Sequence, residues 1–238
     1  MNRVDIIQAV IDRKKSTRKD VNYLEVGVLA GDAFFRIKAN YKIGVDPNFT
    51  FSRLKQLRYC FKNPTNFLNH YYEVPSDSFF EKNHELLSAK GLDVVFLDGL
   101  HTYDQSLKDV QNSLKYLNDG GVIILHDCNP MSEIAAMPAE SIQEVQAMNL
   151  PGWDGVWNGD VWKTIAYLRS NYDDLNIFVL NCDFGVGVIT RGKPETVLNL
   201  DEEDLKSINY KNLEADRKQI LNLKGTDYLV DFCNCLGG

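Results

Sequence analysis

The stretch Val94-Val95-Phe96-Leu97-Asp98-Gly99-Leu100-His101, with Gly120-Gly121-Val122-Ile123-Ile124-Leu125-His126-Asp127 further on, decides the fold. Each half is an apolar run of strand length ending in a short polar cluster, which reads as a buried strand that empties at its C-terminal end. In open α/β sheets ligands bind at that edge. Asp98, His101, His126 and Asp127 are therefore expected to meet at one site, although they stand far apart in sequence.

Outward from this pair, apolar runs alternate with helix-period segments, the pattern of βαβ units and a parallel sheet. Strands are expected near 21–26, 41–45, 66–71, 92–97 and 121–125, and helices near 6–13, 32–38, 50–60, 78–89, 102–117 and 161–171. Ser78 with Glu81 reads as a capping box, and Gly91 as the end of that helix. Two later strands, 175–180 and 185–190, are joined only by Asn181-Cys182-Asp183-Phe184. So short a link cannot make a parallel crossover, so the pair is expected to be an antiparallel hairpin. The expected fold class is α/β, a doubly wound and mostly parallel seven-stranded sheet with an antiparallel C-terminal hairpin.

Length allows one sizeable domain, taken here as residues 1–192, with a helical extension over 193–238 packed on it as a peripheral helix or a subunit contact in a homo-oligomer. Residues 128–158 carry Pro130, Pro138, Pro151, Gly152 and Gly155 without a clean period, and read as a long loop inserted over the polar edge. A net charge of -7 argues against nucleic acid, which needs a basic face. The N-terminus lacks an apolar signal core and no segment is long enough to span a bilayer, so a cytoplasmic protein with no membrane partner is expected. The five cysteines lack zinc-knuckle spacing and read as reduced structural thiols.

Tyr23-Leu24-Glu25-Val26-Gly27-Val28-Leu29-Ala30-Gly31 runs from a strand through a glycine turn toward a helix. Gly27 and Gly31 permit a close approach that a β-carbon would block, so a flat cofactor can lie on the turn. The G-x-x-x-G spacing departs from the dinucleotide fingerprint and speaks against NAD. Gly44-Val45-Asp46-Pro47 ends the second strand with a carboxylate suited to ribose hydroxyls.

These residues resemble class I S-adenosylmethionine-dependent methyltransferases. Glu25-Val26-Gly27-x-x-x-Gly31 matches their first motif and Gly44-Val45-Asp46-Pro47 the acidic end of their second strand, over roughly residues 20–192. The resemblance implies a Rossmann-like fold with S-adenosyl-L-methionine at Glu25, Gly27, Gly31, Asp46 and Asp98, and at Ser76 and Asp77 on the adenine side. Ser76 and Asp77 read equally well as helix caps. Within the superfamily the chain is most similar to metal-dependent small-molecule O-methyltransferases, including those that act on sugars. That branch implies Asp98, His126 and Asp127 as ligands of a divalent metal, Mg²⁺ in the family, with Asp98 and His101 catalytic and His101 the general base. His126 departs from the family's usual carboxylate pair, which leaves a lost ion, or one softer than the expected Mg²⁺, as alternatives. Such an ion would lower the pKa of an acceptor hydroxyl.

A second cluster, Gly152-Trp153-Asp154-Gly155-Val156-Trp157-Asn158-Gly159-Asp160-Val161-Trp162-Lys163, suits sugar recognition by ring faces and carboxylates. Trp153, Trp157 and Asp160 are the expected acceptor contacts, and Trp162 a core residue. The alternative puts Trp157 in the core and makes Asp160 a helix cap. The expected function is O-methylation of a sugar or glycosylated metabolite. An NAD-dependent oxidoreductase and a non-catalytic cofactor-binding relative stay open.

Overall fold

The computed structural model describes residues 1–18 and 20–236. Lys19 lies outside them, as do Gly237 and Gly238 at the end of the expected extension. Two compact units are formed, one from residues 1–99, 109–124 and 229–236, the other from 100–108 and 125–228.

The first unit holds α1 (Arg3–Lys15), β1 (Asn22–Val26), β2 (Tyr41–Val45), α2 (Arg53–Lys62), β3 (Asn69–Tyr72), α3 (Ser76–Lys82), α4 (His84–Lys90) and β4 (Leu92–Leu97). Next come α5 (Tyr103–Tyr116) and β5 (Leu117–Leu125). The strands of this unit lie in the order β3-β2-β1-β4-β5. β1 is parallel to both β2 and β4, so the winding reverses between β1 and β4. That reversal is where open α/β sheets bind ligands. β4 is buried along its whole length because it is apolar except for Asp93. That carboxylate is satisfied by the Arg18 guanidinium, the Asn22 amide and Asn118. α1 starts at a reciprocal cap between Asn2 and Asp5 and buries Ile6, Ile7, Val10 and Ile11, spaced for one face.

The second unit holds α6 (Ile142–Ala147), α7 (Trp162–Asn171), β6 (Leu175–Leu180), β7 (Val186–Arg191), α8 (Glu202–Ser207), α9 (Tyr210–Ala215), α10 (Arg217–Leu221) and β8 (Leu223–Lys224). α11 (Tyr228–Cys235) closes the described chain. β6 and β7 form the expected antiparallel hairpin, paired from Leu175↔Arg191 to Leu180↔Val186, and β8 runs parallel beside β6. Eight strands thus lie among the described residues, where the sequence led us to expect seven. No helix among them is long and apolar enough to cross a membrane.

Local expectations fail where tertiary contacts intervene. Residues 32–38 form turns instead of a helix. The carbonyls a helix would use are taken by side chains: Lys42 holds those of Phe34 and Ile37, and Asn63 and Asn66 hold that of Phe35. The 78–89 helix is two helices, broken at Asn83. It begins at Ser76 after Pro75 with no side-chain cap, so Ser78 and Glu81 are interior and make no capping box. Gly91 ends it as expected, at φ +66°. The stretch 66–71 opens as a 3₁₀ turn, because Pro64 starts a tight turn, and pairs as a strand only from Asn69. Within the expected helical extension over 193–238, residues 202–221 form three short helices, each with its own side-chain cap. The inserted loop carries α6 and a small core of Ala139, Val145 and Trp157, with Ile134, Leu150 and Trp153 packed against it.

Candidate functional site

In the first unit, the ends of β1 and β4 lie side by side, Val26 opposite Leu97. Gly27 follows at φ +89°, and a β-carbon there would fall 1.9 Å from the Asp98 carbonyl oxygen. Only glycine permits that approach. Leu29, in the left-handed region at φ +43°, donates its amide to Asp46 Oδ2 at 2.8 Å, and Asn48 donates to Oδ1 at 2.8 Å. Asp46 therefore ties the glycine turn to the end of β2. Gly31 is also left-handed, at φ +75°, with the Phe35 ring against it. Ser76 and Asp77 open α3. Asp98 meets Arg3 Nη1 at 3.2 Å.

Glu25 takes a different place from its neighbours. Its side chain is buried, and the Tyr23 hydroxyl donates to it. Burial pushes its carboxyl up to about 8, the Asp98 charge adding to the rise and the Tyr23 hydrogen bond opposing it. Glu25 is thus a neutral acid at physiological pH. Nearby Lys42 is brought down to about 7 by burial, its ammonium held by the carbonyls of Phe34 and Ile37 and by Asn66.

In the second unit, His101, His126 and Asp127 come together. Asp127 Oδ2 lies 3.2 Å from His101 Nε2 and 3.0 Å from His126 Nδ1. The other nitrogen of His126 faces Asp183 Oδ2 at 3.8 Å, so both of its ring nitrogens look at carboxylates. As the expected ligand of an ion, His126 would have to give up one of those contacts. Asp127 is left-handed at φ +60°, a costly conformation for a non-glycine residue and one that clusters at functional sites.

One short segment organises these groups. The Trp157 carbonyl accepts from His101 Nδ1 at 3.1 Å, and the Trp157 ring lies 5.3 Å from the imidazole. Asn158 Nδ2 donates to Asp127 Oδ1. Gly159, at φ +63°, sits where a β-carbon would fall 1.7 Å from the His101 carbonyl. Asp160 Oδ1 accepts from the Tyr103 amide at 2.7 Å and so caps α5, the helix after His101. Four consecutive residues thereby fix the imidazole, the carboxylate and the helix between them.

A carbonyl only accepts, so His101 carries its proton on Nδ1. Its Nε2 stands 3.2 Å from Asp127 Oδ2, an ion pair when the ring is protonated and a lone pair facing a carboxylate when it is not. Two acceptors at that distance repel unless positive charge joins them, and a divalent ion or a shared proton supplies it. A carboxylate oxygen such as Asp127 Oδ2 holds a divalent ion at about 2.0–2.2 Å. The Asp127 carboxylate therefore fits such an ion, with the imidazole beside it left to take a proton. Asn158 Oδ1 is also buried with no hydrogen-bond partner among the described residues, an acceptor left for something the chain does not supply.

Of the expected acceptor residues, Trp157 abuts His101 while its indole N–H donates to the Met137 carbonyl. Trp153 donates to the Val156 carbonyl within the loop's own core. Trp162 is core, as expected. Asn158, Gly159 and Asp183 were not expected at the site. The glycine-rich run around Trp157 was the available signal for the first two; nothing in the sequence ties Asp183 to His126.

Residues 24–128 match the family model of a methyltransferase domain. A curated relative, "Uncharacterized protein R132" of Acanthamoeba polyphaga mimivirus, is 29% identical over 119 residues, which is 46% of this chain and 52% of the relative. The chain thus spans about half the length of the curated relative it matches. Among solved structures, a putative O-methyltransferase from Klebsiella pneumoniae aligns with a TM-score of 0.52 at 14% identity, covering 79% of this chain and 80% of its own. An O-methyltransferase from Bacillus cereus in complex with SAH gives 0.51 at 12%, covering 80% and 82%. TomG from Streptomyces achromogenes, an O-methyltransferase involved in tomaymycin synthesis and solved with SAM, gives 0.52 at 10%, covering 81% of each chain. At such identities the likeness is one of fold. The chain shares the Rossmann-like fold of these methyltransferases, and the match to the family model lies over residues 24–128.

Proposed function

We propose that the chain is an S-adenosylmethionine-dependent O-methyltransferase acting on a hydroxyl of a small polar acceptor, a sugar or glycosylated metabolite being the leading class. The observation that carries this reading is the His101–Asp127 pair, an imidazole nitrogen 3.2 Å from a carboxylate oxygen, the groups that removal of a hydroxyl proton calls for. His101 acts as general base through Nε2, with Nδ1 anchored on the Trp157 carbonyl so that the ring cannot turn away. Asp127 is the carboxylate donor for a divalent ion, the role that the resemblance implies for Asp98 as well. His126, with Asp183 behind it, keeps Asp127 in place, as histidine and carboxylate partners do around metal ligands. When bound, the ion would supply Lewis acidity to the acceptor hydroxyl.

On the donor side, the turn Gly27–Gly31 leaves bare backbone for the cofactor, Asp46 keeps lone pairs for ribose hydroxyls, and Ser76 and Asp77 line the adenine side. Trp157, packed in the loop's core against His101, is the expected acceptor contact nearest the base, with Trp153 and Asp160 the others expected. The chain's own work is to align the hydroxyl with the methyl group and to exclude water. Calorimetric titration with S-adenosylhomocysteine tests the donor half of the reading. Saturable micromolar binding to one site per chain is expected, and no heat at millimolar ligand would reject it.

A further inference from the structure

α2 presents its apolar side to solvent. Leu54, Leu57 and Phe61, at the i, i+3, i+7 spacing of one helix face, are 77%, 49% and 75% exposed. Phe67 and Leu68, in the turn that follows, are also exposed, and the Phe67 ring packs edge-on against Phe61. The inward side of the helix buries only Cys60. Arg53, Arg58 and Lys62 stand among these side chains, Lys55 being paired with Asp32 at 2.7 Å, and no Asp or Glu occurs in the sequence between Asp46 and Glu73. A chain of net charge -7 thus carries one stretch that is purely basic and studded with exposed Leu and Phe.

We propose that this face docks on an anionic lipid surface. Charge decides between occupants. A two-fold dimer through the patch would bring the same cations against one another, whereas an anionic bilayer attracts every one of them and accepts the apolar side chains among its headgroups. Leu and Phe interleaved with Lys and Arg on one helix is the composition of an interfacial anchor. The contact is peripheral and reversible, and it involves residues outside the proposed donor and acceptor sites.

The test is co-sedimentation of the full chain with vesicles of about one part phosphatidylserine to two of phosphatidylcholine. Binding is expected at low salt and is lost in high salt or with phosphatidylcholine alone. Reversal of Arg53, Arg58 and Lys62 to Glu should weaken it by about five-fold or more per residue. The variant F61S/F67S should lose binding with an unchanged melting temperature. No binding to the anionic vesicles, or equal binding to neutral ones, would overturn the proposal. So would a dimer in light scattering that F61S/F67S abolishes while vesicles stay unbound, or an acidic protein that binds the patch where anionic vesicles do not.

Discussion

Protonation at Nδ1 decides what His101 offers on its other side, and the Trp157 carbonyl settles it. His101 and Asp127 were marked in the sequence because each follows an apolar strand; Asn158 and Asp183 were not, because their links to Asp127 and His126 exist only after folding. Glu25 carries a separate prediction. Unfolded, it ionises near 4.5; folded, it keeps its proton to about 8. Between those values the folded chain binds the extra proton, so this residue makes stability fall as pH rises, by about 1.4 kcal/mol per pH unit at most. Lys42, lowered to about 7 from 10.5, gives the opposite slope above that point. Glu25→Gln mimics the neutral acid, so its unfolding free energy, measured by urea denaturation across this range, should lose the downward component and exceed that of the parent chain above pH 8. Parallel profiles for the two would show that Glu25 ionises normally.

The segment 157–160 and the β6–β7 tip do for this site what no single side chain does. At the tip, Asp183 and Phe184 are both left-handed, and the amides of Cys128 and Asn129 donate to the carbonyls of Gly185 and Phe184. The hairpin is thereby pinned beside Asp127, bringing Asp183 and the Phe184 ring to His126. Gly159 tests the other support. Gly159→Ala forces a β-carbon into the His101 carbonyl as well as straining φ, and should cost on the order of 2–4 kcal/mol in urea denaturation. Gly152→Ala, also at positive φ but with nothing within 4 Å, should cost only about 1 kcal/mol. Equal losses would mean that the close approach is not needed. β1, β2 and β4 were read from sequence to within a residue, since short apolar runs that end at Gly27, Asp46-Pro47 and Asp98-Gly99 carry their own signal. The 32–38 turn was misread because Lys42, Asn63 and Asn66, distant in sequence, capture its carbonyls.

The fold class was evident in the alternation of strand and helix and in the four-residue hairpin link, both local features. What escaped notice depends on which way a face points: Leu54, Leu57 and Phe61 have the spacing of a core-facing helix, and only the folded chain turns them outward. The central claim is that Asp127 holds a divalent cation beside the imidazole of His101. The most direct measurement is titration of the intact protein with Mn²⁺ in the presence of S-adenosylhomocysteine, followed by electron paramagnetic resonance. The account predicts one bound ion per chain, with binding lost in Asp127→Asn and kept in His70→Ala. An intact chain that takes up no Mn²⁺, or an Asp127→Asn variant that binds it as tightly as the parent, would contradict it.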